Sequence, residues 1–164
     1  MLPIDEKVLE ALLHSGFRYA LSLTHDRAQA EDILQDAWLA VLQAKGPHER
    51  PYLFCAIRTR FLNLNKRENL VVVVNLDDVS SQEWASVSDD LDFVDFHHLE
   101  KALTCLRSIE REALFLMTVE GYTAKEVAAF TGQARGTVLS HIHRAKHKLR
   151  QFFNTHNIEV RCEK

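Results

Sequence analysis

The stretch EGYTAKEVAAFTGQARGTVLSHIHRAKHKLR, Glu120–Arg150, decides how the rest of the chain is read. Thr123 followed three residues later by Glu126 is a capping box, in which each side chain satisfies the other residue's free backbone amide. It opens a short helix through about Phe130, and Gly132 stands where a left-handed C-cap would end it. A longer helix starts near Gly136-Thr137, with Val138, Ile142, Ala145, Leu149 and Phe152 on one apolar face. A short capped helix, a tight glycine turn and a longer amphipathic helix make the helix-turn-helix order. Ala128 and Ala129 are small enough to let the second helix cross close to the first. From Ala134 to Arg150 there are five basic residues and no acid. A solvated helix mixes both signs, so this exclusion points to a surface facing phosphates. Arg135, Thr137 and Ser140, near the helix start, are candidates for base edges or adjoining phosphates, with His141 and Arg144 one turn on. Lys146, Lys148 and Arg150 suit phosphates, which fix register without carrying sequence information.

Upstream of this motif, Leu103, Leu106 and Ile109 predict one helix, and Ala113–Val119 predict another that Gly121 ends. This C-terminal domain spans 99–153, and 154–164 reads as a frayed tail. A first domain, 1–67, shows three further helical patterns. Val8, Leu9, Leu12, Leu13, Phe17, Ala20 and Leu21 mark the first. Ala30, Ile33, Leu34, Ala37, Trp38, Val41 and Leu42 mark the second, with Asp26 and Gln29 as a capping pair and Gly46-Pro47 as its stop. The third starts near Arg50-Pro51, runs to about Asn65, and carries Leu53, Phe54, Ile57, Phe61 and Leu64. The fold expected is all-α: an N-terminal helical bundle and a C-terminal helix-turn-helix domain, joined by an acidic linker at 68–98. Within the linker, Val71–Val74 is a β-branched run that suits either a short strand or an extended segment.

The formal net charge of −3 conceals an asymmetry. The segment from Leu70 through Glu100 holds eight acids and neither Lys nor Arg; the rest of the chain holds 20 basic against 15 acidic residues. Two mildly basic blocks joined by an acidic strip suggest a polyanionic partner for the blocks. Cys55, Cys105 and Cys162 are too scattered for a disulfide framework or a metal knuckle and read as two small core residues and a tail thiol. His143 and His147 have zinc-ligand spacing, but no third ligand accompanies them, so neither metal nor cofactor is expected. Neither a phosphate-binding glycine loop nor a GxSxG or HExxH motif is present, which argues against an enzyme. No run approaches the apolar length of a membrane span, and Met1–Glu10 lacks signal-peptide architecture; a cytoplasmic chain is the expectation.

Residues Leu103–Phe153 resemble region four of sigma factors, the extracytoplasmic-function (ECF) group of the sigma-70 family in particular. Glu120, Gly121, Tyr122, Thr123, then Gly136, Thr137, Val138, Ser140, Arg144 and Ala145 carry the likeness. AEDILQDAWLAVLQ, Ala30–Gln43, resembles the acidic helix of region two, and YLFCAIRTRFLN, Tyr52–Asn63, its promoter-melting segment. The resemblance implies an RNA polymerase sigma factor, monomeric when free, whose partners are promoter DNA and the β′ and β subunits of core polymerase. Asp32, Gln35 and Asp36 would dock on the β′ clamp helices. Arg58, Thr59, Arg60, Asn63, Lys66 and Arg67 would face the melted element, with Tyr52, Phe54 and Phe61 either stacking on bases or filling the core. The acidic linker would thread the polymerase cleft as a nucleic-acid mimic, and an anti-sigma factor is a partner seen in many family members. Leu139 departs from the family, standing where the recognition helix often has Arg or Lys; Thr59 replaces a common Asn and Tyr52 a frequent Trp. The alternative reading is a stand-alone dimeric helix-turn-helix regulator, which would leave Asp32, Gln35 and Asp36 without a task. A module that only sequesters polymerase would show no promoter dependence.

Overall fold

The computed structural model describes residues 5–69 and 96–162, and among them every regular element is a helix. The Val71–Val74 run and most of the acidic linker lie outside the described residues. The helices are α1 (Glu6–Thr24), α2 (Arg27–Gln43), α3 (Arg50–Asn69), α4 (Phe96–Thr104), α5 (Ser108–Thr118), α6 (Ala124–Thr131) and α7 (Arg135–Cys162).

Local chemistry sets most boundaries. The Asp5 carboxylate accepts from the Lys7 amide at 3.0 Å and starts α1. His25, in the left-handed conformation, ends it by donating its amide to Leu21 at 2.8 Å. Asp26 then caps α2 at once, accepting from the Gln29 amide at 2.8 Å. Thr123 and Glu126 form the expected reciprocal box, with amide bonds of 3.3 and 2.7 Å. Gly132 closes α6 at φ 71°, a conformation a Cβ would strain. The segment expected as one helix through Leu103, Leu106 and Ile109 is broken. Arg107 is extended, and its amide donates to Glu110 at 2.9 Å, so a new helix starts at Ser108. At the C-terminal end, α7 continues through Cys162 where a frayed tail was expected.

Helices α1, α2 and α3 pack together, with Ile33, Ala37, Val41, Leu53, Phe54 and Ile57 fully buried between them. Gly16 makes this approach possible: a Cβ there would lie 2.8 Å from a Leu53 methyl and 2.9 Å from one of Leu34. Helices α4, α5 and α6 surround the start of α7, burying Ala102, Leu116, Val127, Val138 and Ala145. Cys55 and Cys105 are exposed, contrary to the core placement expected of them: Cys55 lies off the inward stripe of α3, and Cys105 falls in the turn just past the end of α4. Leu42, expected in the core, is also exposed; the inward stripe of α2 is Ala30, Ile33, Ala37 and Val41, and Leu42 is one position past it.

The two units are not independent, because α1 lies against α5. Tyr19 stacks on Phe54 at 4.4 Å between centroids and reaches Phe115 at 5.9 Å and Phe130 at 6.3 Å. Its hydroxyl donates to Glu112 at 2.6 Å. Burial first, and the Glu112 carboxylate second, push that hydroxyl well above the ordinary phenol range, so it stays protonated. Arg111 donates to the carbonyls of Ser22 and Leu23 at 3.0 and 3.2 Å, satisfying acceptors that the end of α1 leaves open. A further donor of Arg111 reaches the Leu106 carbonyl. Tyr19→Phe should therefore lower the unfolding free energy by about 1.5–3 kcal/mol, the usual worth of a hydrogen bond to a charged group. Urea denaturation reads this directly, and an unchanged midpoint would show that the contact contributes nothing.

Candidate nucleic-acid and polymerase interfaces

Three surfaces gather the residues singled out from the sequence. The first is the outer face of α2. Asp32, Gln35 and Asp36 are all exposed and lie opposite the buried stripe. Leu39 and Leu42 continue the same face one and two turns on, 54% and 42% exposed. Sequence reasoning missed Leu39 as part of this surface. Its signal was the spacing, four after Gln35 and seven after Asp32, which places it with the acids rather than with the core. Two leucines flanked by acids form an apolar patch with an acidic end, as a partner carrying cations and exposed aliphatics would require.

The second surface is on α3. Thr59, Arg60, Asn63, Lys66 and Arg67 share one exposed face. Beside them, a cleft of about 450 Å³ opens between α2 and α3, lined by Ala40, Val41, Ala44, Tyr52, Cys55, Ala56, Thr59 and Arg60. Phe54 and Phe61 are buried in the core and Tyr52 is exposed, so only the tyrosine is available for stacking. Arg58 is set apart from its neighbours. It turns towards α5 and donates from Nε to Glu112 at 2.8 Å, leaving its side chain 18% exposed. A residue one position before Thr59 points about 100° away from it, which is enough to move Arg58 from the outer face to the inter-unit contact. Arg50 makes a second contact of this kind, 3.2 Å from Glu120, a carboxylate that also accepts from Ser15 at 3.4 Å.

The third surface is the start of α7. Arg135, Thr137 and Lys146 are exposed; Ser140 and Arg144 are half-buried at its edge. The Ser140 hydroxyl donates back to the Gly136 carbonyl at 3.0 Å. His141 and Lys148 turn away from this surface. His141 is buried three residues after Val138 and four before Ala145, on the inward stripe, and its Nδ1 has no hydrogen-bond partner. Burial first, then Arg144 and Arg107, hold its imidazole below the ordinary value, so it is neutral at pH 7 and offers no cation to a phosphate. Lys148 reaches inward from α7 to Glu110 on α5 at 2.8 Å. Both residues were read as DNA contacts: Lys148 because its partner lies 38 residues away in sequence, and His141 for its polar character, although its spacing from Val138 and Ala145 puts it on the stripe. Among the described residues no group of three or more His, Cys, Asp or Glu could hold a metal ion. Nor, among them, is any helix long and apolar enough to cross a membrane.

Comparison with known proteins places this arrangement. Residues 97–149 match the family described as sigma-70, region 4. The ECF RNA polymerase sigma factor SigL of Mycobacterium tuberculosis is 31% identical over 141 residues, spanning 82% of this chain and 80% of SigL. The chain belongs to the ECF sigma factors. The RNA polymerase sigma factor CarQ of Myxococcus xanthus is 29% identical over 143 residues, spanning 84% of this chain and 82% of CarQ. The fold is similar to that of the sigma factor RpoE of Bartonella quintana, solved in complex with the anti-sigma factor NepR. Its TM-score is 0.68 at 25% identity, covering 91% of this chain and 96% of RpoE. As an ECF sigma factor the protein binds core RNA polymerase and directs promoter recognition and transcription initiation. Such factors are initiation proteins rather than enzymes.

The Glu110–Lys148 contact has a pH signature. Burial raises the Glu110 carboxyl, but the Lys148 ammonium and the Arg107 amide and guanidinium outweigh it, and the net lies below the ordinary value of 4.5. A carboxylate depressed in the folded state stabilises fully above its unfolded value; that contribution is lost as pH falls through the folded value. Glu110→Gln should therefore weaken the protein at pH 7 and flatten the acid limb of its stability profile below about pH 4.5. Urea midpoints measured from pH 7 down to 3 report it; parallel acid limbs in the two proteins would contradict it. Lys148→Met should lower the thermal midpoint where Lys146→Met leaves it unchanged, since only Lys148 has a buried partner.

Proposed function

We propose that this sigma factor divides its work between the three surfaces. The domains follow the sequence reading: 1–67 for polymerase binding and melting, 68–98 as linker, 99–153 for the upstream element. Asp32, Gln35 and Asp36 dock on the β′ subunit, and Leu39 and Leu42 supply the apolar part of that contact. The observation that carries this reading is the exposed acid-and-leucine face of α2, which the fold leaves uncovered. Thr59, Arg60, Asn63, Lys66 and Arg67 face the melted element. The neighbouring cleft, with Tyr52 on its rim, suits a base turned out of the stack, a step that costs about a few kcal/mol. Arg135, Thr137, Ser140, Arg144 and Lys146 contact the upstream element. The protein acts in the cytoplasm, where core polymerase is, and catalyses nothing itself. A regulatory anti-sigma protein is a fitting partner, given the NepR-bound structure of the similar RpoE.

The free chain should bind promoter DNA poorly. Arg58 is engaged by Glu112, and two weak DNA sites become useful only when core polymerase holds them at a fixed spacing. Run-off transcription with bacterial core polymerase and a promoter library tests the assignment. Discrete starts should depend on the protein and vanish with Asp32→Arg plus Asp36→Arg, a charge reversal on an exposed face that leaves the circular dichroism spectrum intact. Starts that survive the double reversal would remove the α2 face from the polymerase contact.

A further inference from the structure

Leu139 is 43% exposed, the large apolar residue that the start of α7 turns outward. It occupies the fifth position of the helix, on a stripe with Arg135 four residues before it and His143 four after. Lys146 lies three beyond that. Gly136 adjoins this stripe, and nothing lies within 4 Å of where its Cβ would be, so the surface beside Leu139 is open to close approach. A leucine at the centre of an acid-free, cation-bearing surface lacks any donor or acceptor for a base edge or a phosphate. The inward stripe, Val138, Ile142 and Ala145, already fills the core without it.

The major groove contains one apolar group of the right kind, the C5-methyl of thymine. We infer that Leu139 is a specificity-determining residue that packs on a thymine methyl of the upstream element, so that this promoter carries an A·T pair where a basic residue would have selected guanine. The inference rests on the reading of α7 as the upstream-element helix. Charge complementarity commits the occupant to DNA, because Arg135 and Lys146 flank the leucine and form no ion pair among the described residues. Discrimination comes from both signs of the contact. Leu139 gains apolar burial against the methyl, and it leaves the polar edge of a G·C pair without a partner once water is excluded.

The test uses the whole protein with core polymerase. Promoters active with it are selected from a library randomised across the upstream element. Each thymine of the selected element is then replaced by deoxyuridine, which removes only the methyl. At one position the substitution should lower the initiation rate about three- to fivefold, the worth of one buried methyl-sized group. In Leu139→Ala that same substitution should have no effect, and Leu139→Arg should shift the selected base there to guanine. Leu139 is exposed, so both variants should melt with the unaltered protein. An upstream element that shows no methyl dependence, or one whose methyl dependence persists in Leu139→Ala, overturns the inference while leaving α7 as the recognition helix. Starts that need no upstream element at all overturn the helix assignment, and the inference with it.

Discussion

A buried carboxylate sits in the contact between the two halves of this molecule and serves both. Glu112, on α5, accepts from the Tyr19 hydroxyl of α1 and the Arg58 guanidinium of α3 through the same oxygen. Removing a charge partner from such a site costs about 3–5 kcal/mol, because the partner is left buried and uncompensated. Much of the worth of the contact is geometric, since an apolar replacement of similar shape would bury as well but would fix no orientation. Units of this size are marginal alone. Here they share an aromatic cluster, Tyr19, Phe54, Phe115 and Phe130, whose rings come from both sides of the contact.

Helix α5 thereby acts as the keystone. Glu110 and Glu112 are two residues apart, about 200° around a helix, so their carboxylates leave on nearly opposite faces. Glu112 ties α5 to the bundle of α1, α2 and α3; Glu110 ties it to Lys148 and hence to α7. Arg111, between them, closes the open carbonyls at the end of α1. Three consecutive charged residues, which a pattern reading takes for a solvated face, are the groups that set the placement of α7 relative to α1 and α3. The surface of α7 proposed to face DNA is correspondingly narrower than its charge suggests.

What was legible in the sequence follows from this division. The starts of α2 and α6 were readable because their signals are local: Asp26, Thr123 and Glu126 act within three residues. The buried stripes of α2, α3 and α7 were readable from periodicity, apart from Leu42 at a stripe edge and the polar His141 within the stripe of α7. The break between α4 and α5 was not, because it depends on Glu110 capturing the Arg107 amide, and Leu106 and Ile109 continue an apolar pattern across it. Arg58 was assigned to nucleic acid through the resemblance of its segment, and Lys148 through its charge and place on the helix. Their partners lie 54 and 38 residues away, and no window of local sequence contains such a pairing. Leu39 had the spacing of a surface residue, and it fell outside both the apolar stripe and the set of polar candidates because it is an apolar residue on the outer face.

The most direct measurement of this account is the distance between the two units in the free protein. Spin labels at Gln43 and Lys146, both exposed, in a background with the three cysteines replaced by serine, would report it by pulsed electron resonance. A single narrow distance in the free protein, broadening in Glu112→Ala, is the result predicted. A broad distribution that is the same with and without Glu112 would contradict it.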